Sequence, residues 1–499
     1  MSAAPRVSAP VSVRGIRHPL LVPVTLGLVA TAVSLIAIGV PSIWYDEAAT
    51  ITSATRSWSQ LWAEVGTVDA VHFLYYALMH VVFEVFGYTP VTLRVPSAIA
   101  VGVATSLVAV LGRQLVGLRF GVIAAIVFAL LPRTTWMSGE GRSYAFTSAL
   151  AVGLTVALVA AMRSPQRRWW VVYGALVILS TVLFIYLALV VVGHAVTVIA
   201  LASRHTKLRR RWFVTTVIAA ATLVPFAIET LGQKSQISWL KAFDWRTVHG
   251  VVVEQWFSSS TPFAIAGWVG IVAGTAVVVR SRRSDSRAAV LLPMLVLPTA
   301  ILLLVTALIL PIYTPRYLSL CTPAVALVIA SGILAAASRW RPAAPIALLV
   351  VIALAVPAII GQRQPESKEY SSWSQVADLI AAERTSAGPD ATTAIIYGSV
   401  QLHPRASARV MVYAYPAAYV GTIDVTLDTP AAETGRLWET RRPLAGSLDR
   451  LASADQVLLI TSIARDDTPR TTAILETDGW HVAEHWRLSK TNVVRYERD

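Results

Sequence analysis

The chain has 499 residues, of which 55% are hydrophobic and only 14% charged, with a formal net charge of +14 and a mean hydropathy of +0.61. A soluble protein carries roughly a quarter charged residues, so this composition excludes an ordinary soluble protein and indicates several membrane-spanning helices. The basic residues form no continuous stripe, which excludes the charge pattern of a nucleic-acid-binding protein.

The first apolar run, 19–40, follows Arg14 and Arg17. It is longer than the hydrophobic region of a cleaved signal peptide, and it ends in GVPSIWYDE without a convincing small-x-small cleavage site. We therefore predict a retained first transmembrane helix that follows a cytoplasmic N-terminus, residues 1–18.

Two adjacent carboxylates, Asp46 and Glu47, come directly after this run in SIWYDEAATI. They lie where the first helix should leave the membrane. An acidic pair at such a point is either a solvated helix boundary or part of a functional site, and these two residues alone favour neither.

Short basic loops predict the orientation of the remaining helices, because bacterial-type membrane proteins keep Lys and Arg in the cytoplasm. An even number of crossings must then separate neighbouring basic clusters. Three apolar runs lie between the first two clusters, and the middle one, 70–86, is the weakest because it is short and contains His72, His80 and Glu84. We predict that 70–86 is a juxtamembrane or re-entrant segment in a long outer loop, 41–91; the alternative is that it crosses and a later span is wrong. The basic clusters are 14–18, 112–119, 163–168, 203–211, 280–287 and 338–341.

This topology predicts a transmembrane domain, residues 19–361, with about eleven spanning helices, the N-terminus inside and the C-terminus outside. Spans after residue 261 contain no charged side chain in their apolar parts. Because a charge in lipid is costly and usually marks an ion or proton path, this pattern argues against an ion-coupled transporter or a flippase. The predicted spans are 19–40, 92–111, 119–135, 143–162, two within 169–202 that turn near 184–187, 212–229, 262–280, 288–310, 317–337 and 343–361.

The long apolar runs end at residue 361, and residues 362–499 are predicted to form an extracytoplasmic α/β domain. Residues 367–384 have helical periodicity, and five segments are typical of strands. The domain has no Gly-rich phosphate loop, no metal-spaced Cys/His set and no catalytic triad signal, so we expect it to cover or shape the outer face of the membrane part. The predicted strands are 392–400, 408–415, 455–462, 480–486 and 491–498.

Polar and aromatic side chains are concentrated on the predicted outer turns. Separate loops bring carboxylates, cations and aromatic rings to one membrane–water level, which favours an active site there. Each residue alone has a simpler explanation, such as an interfacial aromatic belt or a snorkelling cation. A sensor or scaffold built on the C-terminal domain would not explain this concentration. The residues are Asp46, Glu47, Asp69, His72, Arg94, Glu140, Arg142, Tyr144, Gln233, Lys234, Gln236, Trp239, Lys241, Arg316 and Tyr317.

Several of these stretches resemble the GT-C superfamily of integral-membrane glycosyltransferases, especially its protein-mannosyltransferase-like and aminoarabinose-transferase-like group. The most specific are WYDEAAT after the first helix and DAVHFLYYALMHVVFEVFG in the first outer loop. The family usually has Asp-x-His-Pro-Pro-Leu-Tyr-Tyr, and DAVHFLYY keeps Asp69 and His72 but lacks both prolines. The less specific matches are LRVPSAIAVG, GEGRSYAF (with Gly141 where the family usually has Ala), GQKSQISWL and PRYLSLCTPAVALVIASG.

The resemblance implies transfer of a sugar, with inversion, from a polyprenyl-phosphate donor to an acceptor hydroxyl at the outer face of the membrane. On the family's pattern Asp46 is the catalytic base, and the departing phosphate needs cations such as Arg142, Lys241 or Arg316. Some relatives use a divalent metal at the paired acids. A monophosphate donor has less need of a metal ion, so we expect no metal and no other cofactor. The remaining substrate-binding candidates are Glu47, Asp69, His72, Glu140, Tyr144, Gln233, Gln236, Trp239 and Tyr317.

The Arg-rich basic composition and the added C-terminal domain favour an actinobacterial cell-envelope enzyme in the plasma membrane. Mannose from polyprenyl-phosphomannose is the first expectation for the sugar. Arabinofuranose, or mannose transferred to protein, is the alternative. The acceptor can be a lipoglycan, a glycolipid, a polysaccharide or a protein, and the oligomeric state is open.

Overall fold

The computed structural model describes residues 20–203, 205–233, 236, 240–281, 286–400 and 406–498. These residues fold as two compact units. The helical unit takes in the described residues of Met1–Ile36 with Val71–Tyr75 and Arg94–Ile360; the sheet unit takes in those of Ala37–Ala70, Tyr76–Leu93 and Gly361–Asp499. The sheet unit therefore begins its last segment at the predicted boundary near residue 361 and also includes two pieces of the first outer loop.

Helices account for most of the described chain. In chain order, they are α1 (Leu21–Leu35), α2 (Tyr45–Ala54), α3 (Trp58–Val65), α4 (Phe73–Phe86), α5 (Pro90–Leu115), α6 (Leu118–Leu130), α7 (Pro132–Ser138), α8 (Tyr144–Arg163), α9 (Arg168–Leu183), α10 (Ala188–Leu201), α11 (Thr206–Gly232), α12 (Trp245–His249), α13 (Gln255–Phe257), α14 (Thr261–Arg280), α15 (Arg287–Leu308), α16 (Thr322–Arg339), α17 (Ala343–Gly361), α18 (Trp373–Ala387), α19 (Val410–Ala414) and α20 (Thr468–Glu476).

Each predicted span coincides with a helix, except that 119–135 covers both α6 and the start of α7. This confirms the prediction of a polytopic helical membrane protein. Within the described ranges, seven helical segments are long and apolar enough to cross a bilayer, and the pair α6 and α7, bent by 64°, makes an eighth if it is one span. The helices α1, α9 and α10 are shorter apolar helices of 14 to 16 residues. The segment 70–86 is also a shorter apolar helix, consistent with its weak hydropathy signal.

Helix packing in the helical unit uses glycine where two backbones approach closely. On α14, Gly270 and Gly274 are four residues apart, and both contact α16. A Cβ atom added at Gly274 would lie 1.9 Å from the backbone oxygen of Val328, so no larger residue fits. Small residues at this spacing let membrane helices pack backbone to backbone, where the hydrophobic effect supplies little attraction.

The sheet unit is built on a mixed five-stranded sheet. Its central strands β1 and β3 are parallel and fully buried, so both faces of the sheet centre are covered. The hairpin of β4 and β5 is antiparallel and places β4 at an exposed edge. The strands are β1 (Thr393–Tyr397), β2 (Ile423–Asp424), β3 (Gln456–Ser462), β4 (Trp480–Leu488) and β5 (Thr491–Arg498), in the order β2-β1-β3-β5-β4.

One predicted strand is wrong, since residues 408–415 contain the short helix α19. A short apolar run has the same hydropathy whether it is a buried strand or a buried helical turn. Val410, Met411 and Ala414 are buried. Their spacing of one and three residues suits one face of a helix rather than the alternation of a strand. The other four predicted strands are confirmed, and the predicted helix at 367–384 is α18, which begins at Trp373.

Candidate active site

The predicted site residues are divided between the two units. The sheet unit holds the carboxylates of the first outer loop, and the helical unit holds the predicted cations and aromatic residues. The catalytic and binding roles of these residues are predictions from the sequence. In the sheet unit are Asp46, Glu47 and Asp69; in the helical unit are His72, Glu140, Arg142, Tyr144, Gln233, Gln236, Lys241, Arg316 and Tyr317.

A close polar contact in the helical unit joins two residues that are 70 positions apart. The Nη2 atom of Arg142 lies 2.9 Å from Nε2 of His72. A guanidinium group can only donate hydrogen bonds, so this nitrogen of His72 accepts and the ring is neutral with its proton on Nδ1. Burial, together with the positive charges of Arg142 and Arg316, lowers the pKa of His72 well below 6.5. The two arginines are thus the charged members of a cluster in which the histidine is an uncharged acceptor.

The turn that carries Arg142 is held by α5, a helix from an earlier part of the sequence. Arg142 lies between the end of α7 at Ser138 and the start of α8 at Tyr144. The Ser97 hydroxyl of α5 donates to the backbone oxygen of Glu140 at 2.7 Å. Glu140 is fully buried and Arg142 is 7% exposed. The turn is therefore fixed by packing and hydrogen bonds, and the guanidinium is held rather than free in solvent.

Tyr317 and Tyr144 belong to an aromatic cluster in the helical unit. Their ring centroids are 6.5 Å apart. Tyr186 stacks on Tyr317 at 5.1 Å, and Phe184 contacts both Tyr144 and Tyr317. Phe184 and Tyr186 were not among the predicted site residues, although the predicted outer turn near 184–187 placed them at the same membrane level. Aromatic rings at this level can pack against a sugar ring or an isoprene unit.

The candidates of the fourth outer loop are less well connected to this cluster. Gln236 donates to the side-chain oxygen of Gln233 at 3.0 Å, and Gln233 donates to Glu229 at 3.0 Å. Lys241 is exposed. The predicted residues Lys234 and Trp239 lie outside the described residues.

Asp46 and Glu47 occupy the first turn of α2 in the sheet unit. Asp46 is half-buried, whereas Glu47 is fully buried. Negative charge is stabilised at the N-terminus of a helix by the free backbone N–H groups and the helix dipole. Of the two acids, Asp46 is the one with accessible surface, and a base that takes a proton from a bound acceptor needs such access.

Asp69 has a left-handed backbone, with φ of +58°. Only a few per cent of residues other than glycine adopt it, and Asp is enriched among them. The Tyr76 hydroxyl donates to Asp69 at 2.8 Å, which holds the carboxylate. The strained turn and its hydrogen bond together fix Asp69 in one orientation.

Within the described ranges, no group of three or more His, Cys, Asp or Glu side chains could hold a metal ion. The two acids of α2 differ in burial, with Glu47 enclosed and Asp46 partly open.

Comparison with solved structures finds the same fold across nearly the whole chain. ArnT from Cupriavidus metallidurans bound to undecaprenyl phosphate matches with a TM-score of 0.59 and 11% identity, over 96% of this chain and 98% of ArnT. Its apo state matches with a TM-score of 0.58 and 12% identity, over 95% and 97%. The apo oligosaccharyltransferase of Archaeoglobus fulgidus matches with a TM-score of 0.51 and 11% identity, over 95% of this chain and 74% of that chain. No protein-family model and no curated protein matches the sequence.

Proposed function

We propose that this chain, which has the GT-C fold predicted from its sequence, is a glycosyltransferase that takes its sugar from a polyprenyl-phosphate donor. The proposal is supported by the resemblance of the sequence motifs to the GT-C superfamily and by the structural match to ArnT. In its solved complex ArnT binds undecaprenyl phosphate, and this supports a polyprenyl-phosphate lipid as the partner of the present chain.

The cluster of His72, Arg142 and Arg316 is the observation that carries the proposal. As the bond between the anomeric carbon and the phosphate oxygen breaks, negative charge develops on the leaving phosphate. Arg142 is buried and Arg316 is close enough to affect the same histidine. Fixed guanidinium groups bind phosphate by two parallel hydrogen bonds and stabilise that charge more strongly than mobile surface cations do. Lys241, which is exposed, would contribute less.

Asp46 is proposed as the general base. Its carboxylate takes the proton from the acceptor hydroxyl as that oxygen forms a bond with the anomeric carbon. The bond to phosphate breaks on the opposite side, so the configuration inverts and polyprenyl phosphate leaves. One base is enough for this step, since the phosphate departs as an anion and needs no acid. Because arginines neutralise the leaving group, we propose that the reaction requires no divalent metal.

The other predicted residues take supporting roles in this proposal. Asp69, held by Tyr76, and the neutral His72 are suited to orient sugar or acceptor hydroxyls. Glu47 is too buried to meet a substrate in the described arrangement and would instead orient Asp46 through α2. Tyr144 and Tyr317, with Phe184 and Tyr186, would pack on the sugar or the first isoprene unit. The remaining candidates are Glu140, Gln233, Gln236 and Trp239.

For the sugar we propose mannose, with arabinofuranose as the alternative, and for the acceptor a lipoglycan, glycolipid or polysaccharide of an actinobacterial envelope. Transfer to a protein hydroxyl is the other alternative. The proposed orientation has the N-terminus in the cytoplasm and residues 362–499 outside the membrane. These choices rest on the basic composition, the positions of the basic loops and the resemblance of the sequence motifs.

A donor screen tests the class of reaction and the sugar together. Purified protein is incubated with polyprenyl-phosphate mannose, arabinofuranose and other sugars, with membrane glycolipids or peptides as acceptors, and the products are identified by mass. We expect mannose transfer to a glycolipid, and unchanged yield when EDTA is added. Transfer only of arabinofuranose or only to peptides would replace the proposed substrate, and an absence of transfer from any such donor would refute the proposed class.

A further inference from the structure

The segment that leads into the first turn of α2 is buried in the sheet unit. Ser42 and Ile43 are fully buried, and Trp44 is 6% exposed. Trp44 is extended, with φ of −127° and ψ of +175°, so the chain reaches α2 without a preceding helical turn. An extended segment has no hydrogen-bonding partners of its own, and its buried backbone groups must be satisfied by other parts of the protein.

Both backbone polar groups of Ile43 are satisfied by side chains from the C-terminal part of the sequence. The Ile43 N–H donates to the Tyr415 hydroxyl at 2.8 Å, and the Ile43 carbonyl accepts from the Ser371 hydroxyl at 2.6 Å. In addition, the Ser42 N–H donates to the Pro365 carbonyl at 2.7 Å. The peptide three residues before Asp46 is thus held from both sides by residues more than 300 positions away in the sequence.

The same region of the sequence also holds α2 itself. The indole N–H of Trp438 donates to the Tyr45 hydroxyl at 3.0 Å, and the two rings pack at 5.4 Å. Tyr45 is the first residue of α2 and the immediate neighbour of Asp46. Just beyond the other end of the helix, Arg56 donates to the backbone carbonyl of Arg436 at 2.6 Å. The helix that carries Asp46 is therefore held before its start, at its first residue and just past its end.

We propose that Tyr415, Ser371 and Trp438 are positioning residues that hold Asp46 in its reactive orientation, and that this is a task of the C-terminal domain in the transfer reaction. The inference rests on the proposed role of Asp46 as the base. A general base works only within hydrogen-bonding distance of the proton it removes, and a shift of about 1 Å can lower a rate by roughly 100-fold. Loss of the Tyr415 hydroxyl would leave the Ile43 N–H buried without its acceptor, so the segment would have to move.

A pair of matched substitutions tests this inference. Tyr415→Phe removes the hydroxyl that holds Ile43. Tyr419→Phe removes a hydroxyl in the same loop that is buried and makes no hydrogen bond within the part of the chain that the structure describes. We expect Tyr415→Phe to lower kcat about 10-fold to 100-fold with the donor KM unchanged, and Tyr419→Phe to leave both unchanged. Ser371→Ala should repeat the Tyr415→Phe effect in the same direction.

A second readout separates positioning from loss of folded protein. Donor-binding capacity per mole of chain should stay at the wild-type level in Tyr415→Phe, while amide hydrogen exchange across residues 43–50 becomes faster. Combined with Asp46→Asn, Tyr415→Phe should cause no further loss of turnover, because there is no base left to position.

The outcomes distinguish the inference from the proposed function. If Asp46→Asn is inactive while Tyr415→Phe has wild-type kcat and exchange, the positioning role is wrong and the proposed function stands. If Tyr415→Phe and Tyr419→Phe lose donor-binding capacity equally, the role is structural and the inference is again wrong. If Asp46→Asn turns over normally, the assignment of the base fails and the positioning role fails with it.

Discussion

The contact of His72 with Arg142 shows how one hydrogen bond fixes a protonation state. Because Arg142 can only donate, His72 must present a lone pair, and a second nearby cation, Arg316, further disfavours its protonation. The sequence predicted these three residues one by one, from their residue types and their outer turns. It could not predict that they meet, because the turns that carry them are far apart in the chain.

Removal of the Arg142 charge should impair turnover. We expect Arg142→Gln to lower kcat by roughly 100-fold to 1,000-fold, the usual effect of losing one fixed donor to a developing negative charge. Arg142→Lys should recover part of this loss, since it restores the charge without the planar pair of donors. The exposed Arg246 of the fourth outer loop offers a control, and Arg246→Gln should have wild-type kinetics in the same assay. Wild-type turnover and donor affinity in Arg142→Gln would contradict the role of the cluster.

The lowered pKa of His72 predicts a dependence of stability on pH. As the pH falls through 6.5, an unfolded histidine takes up a proton, whereas His72 in the folded protein stays neutral until the pH is well below that value. The unfolded state is then favoured, so this contribution to stability is complete above pH 6.5 and is lost below it, by at most about 1.4 kcal/mol per pH unit. Thermal unfolding midpoints between pH 7.5 and 5 measure this. The unfolding midpoint should fall less on acidification in His72→Gln than in the wild type. Equal slopes of midpoint against pH in the two proteins would contradict this prediction.

At the scale of elements, α2 and α3 are integral parts of the sheet unit. Both helices lie in the predicted first outer loop of the transmembrane domain, 19–361, which was predicted to be separate from residues 362–499. Thr67, just after α3, donates to the carbonyl of Gly435, and Arg56 donates to that of Arg436. These contacts join segments more than 360 positions apart, and neither hydropathy nor periodicity carries information on such pairs. Strands β1, β3, β4 and β5 were predictable because local residue composition determines them.

The buried ion pair of Arg56 and Glu64 should contribute strongly to the stability of the sheet unit. Arg56 Nη1 lies 3.1 Å from Glu64, both side chains are almost fully enclosed, and Ser53 also donates to Glu64. Arg56→Ala would leave the Glu64 carboxylate buried without its cation, which should lower the free energy of unfolding by about 3–5 kcal/mol. Chemical denaturation followed by tryptophan fluorescence measures the change.

An exposed pair in the same unit provides the control for this prediction. Arg442 and Asp428 are 3.0 Å apart, but their side chains are 52% and 41% exposed. Arg442→Ala should lower the free energy of unfolding much less than Arg56→Ala, as is usual for a solvated ion pair. An equal effect of Arg56→Ala and Arg442→Ala would contradict the importance of the buried pair.

For the whole molecule, hydropathy was enough to predict a polytopic helical protein and the positions of its apolar helices, whereas the predicted number of about eleven spans exceeds the seven or eight described segments that are long enough to cross. Lipid forces each crossing segment to be helical and apolar, so the signal is strong in a single sequence. The signal is weaker for α1, α9 and α10, which are shorter than the other spans. The packing of the helices was not predictable in the same way, because contacts such as Gly274 with Val328 depend on how two distant backbones meet.

The position of the segment 70–86 relative to the membrane is testable by cysteine labelling. If this segment does not cross, residues 90 and 140 lie on the same, extracytoplasmic side. Because Glu140 is buried, single cysteines at residue 90 and at the exposed Lys241, in another predicted outer loop, should react with an impermeant reagent in intact cells. A cysteine in the basic loop at 163–168 is the control and should react only after permeabilisation. Labelling of the cysteine at residue 241 but not of the cysteine at residue 90 would show that 70–86 crosses the membrane.

The most direct test of the account is the release of polyprenyl phosphate from a labelled polyprenyl-phosphate sugar by the wild type and by Asp46→Asn. The asparagine keeps the size of the side chain and removes only its basicity, so folded protein and donor binding should be retained. We expect release by the wild type and a loss of roughly 100-fold to 10,000-fold in the variant, the range that general base catalysis supplies. Near-normal release by Asp46→Asn, or no release by the wild type from any such donor, would contradict it.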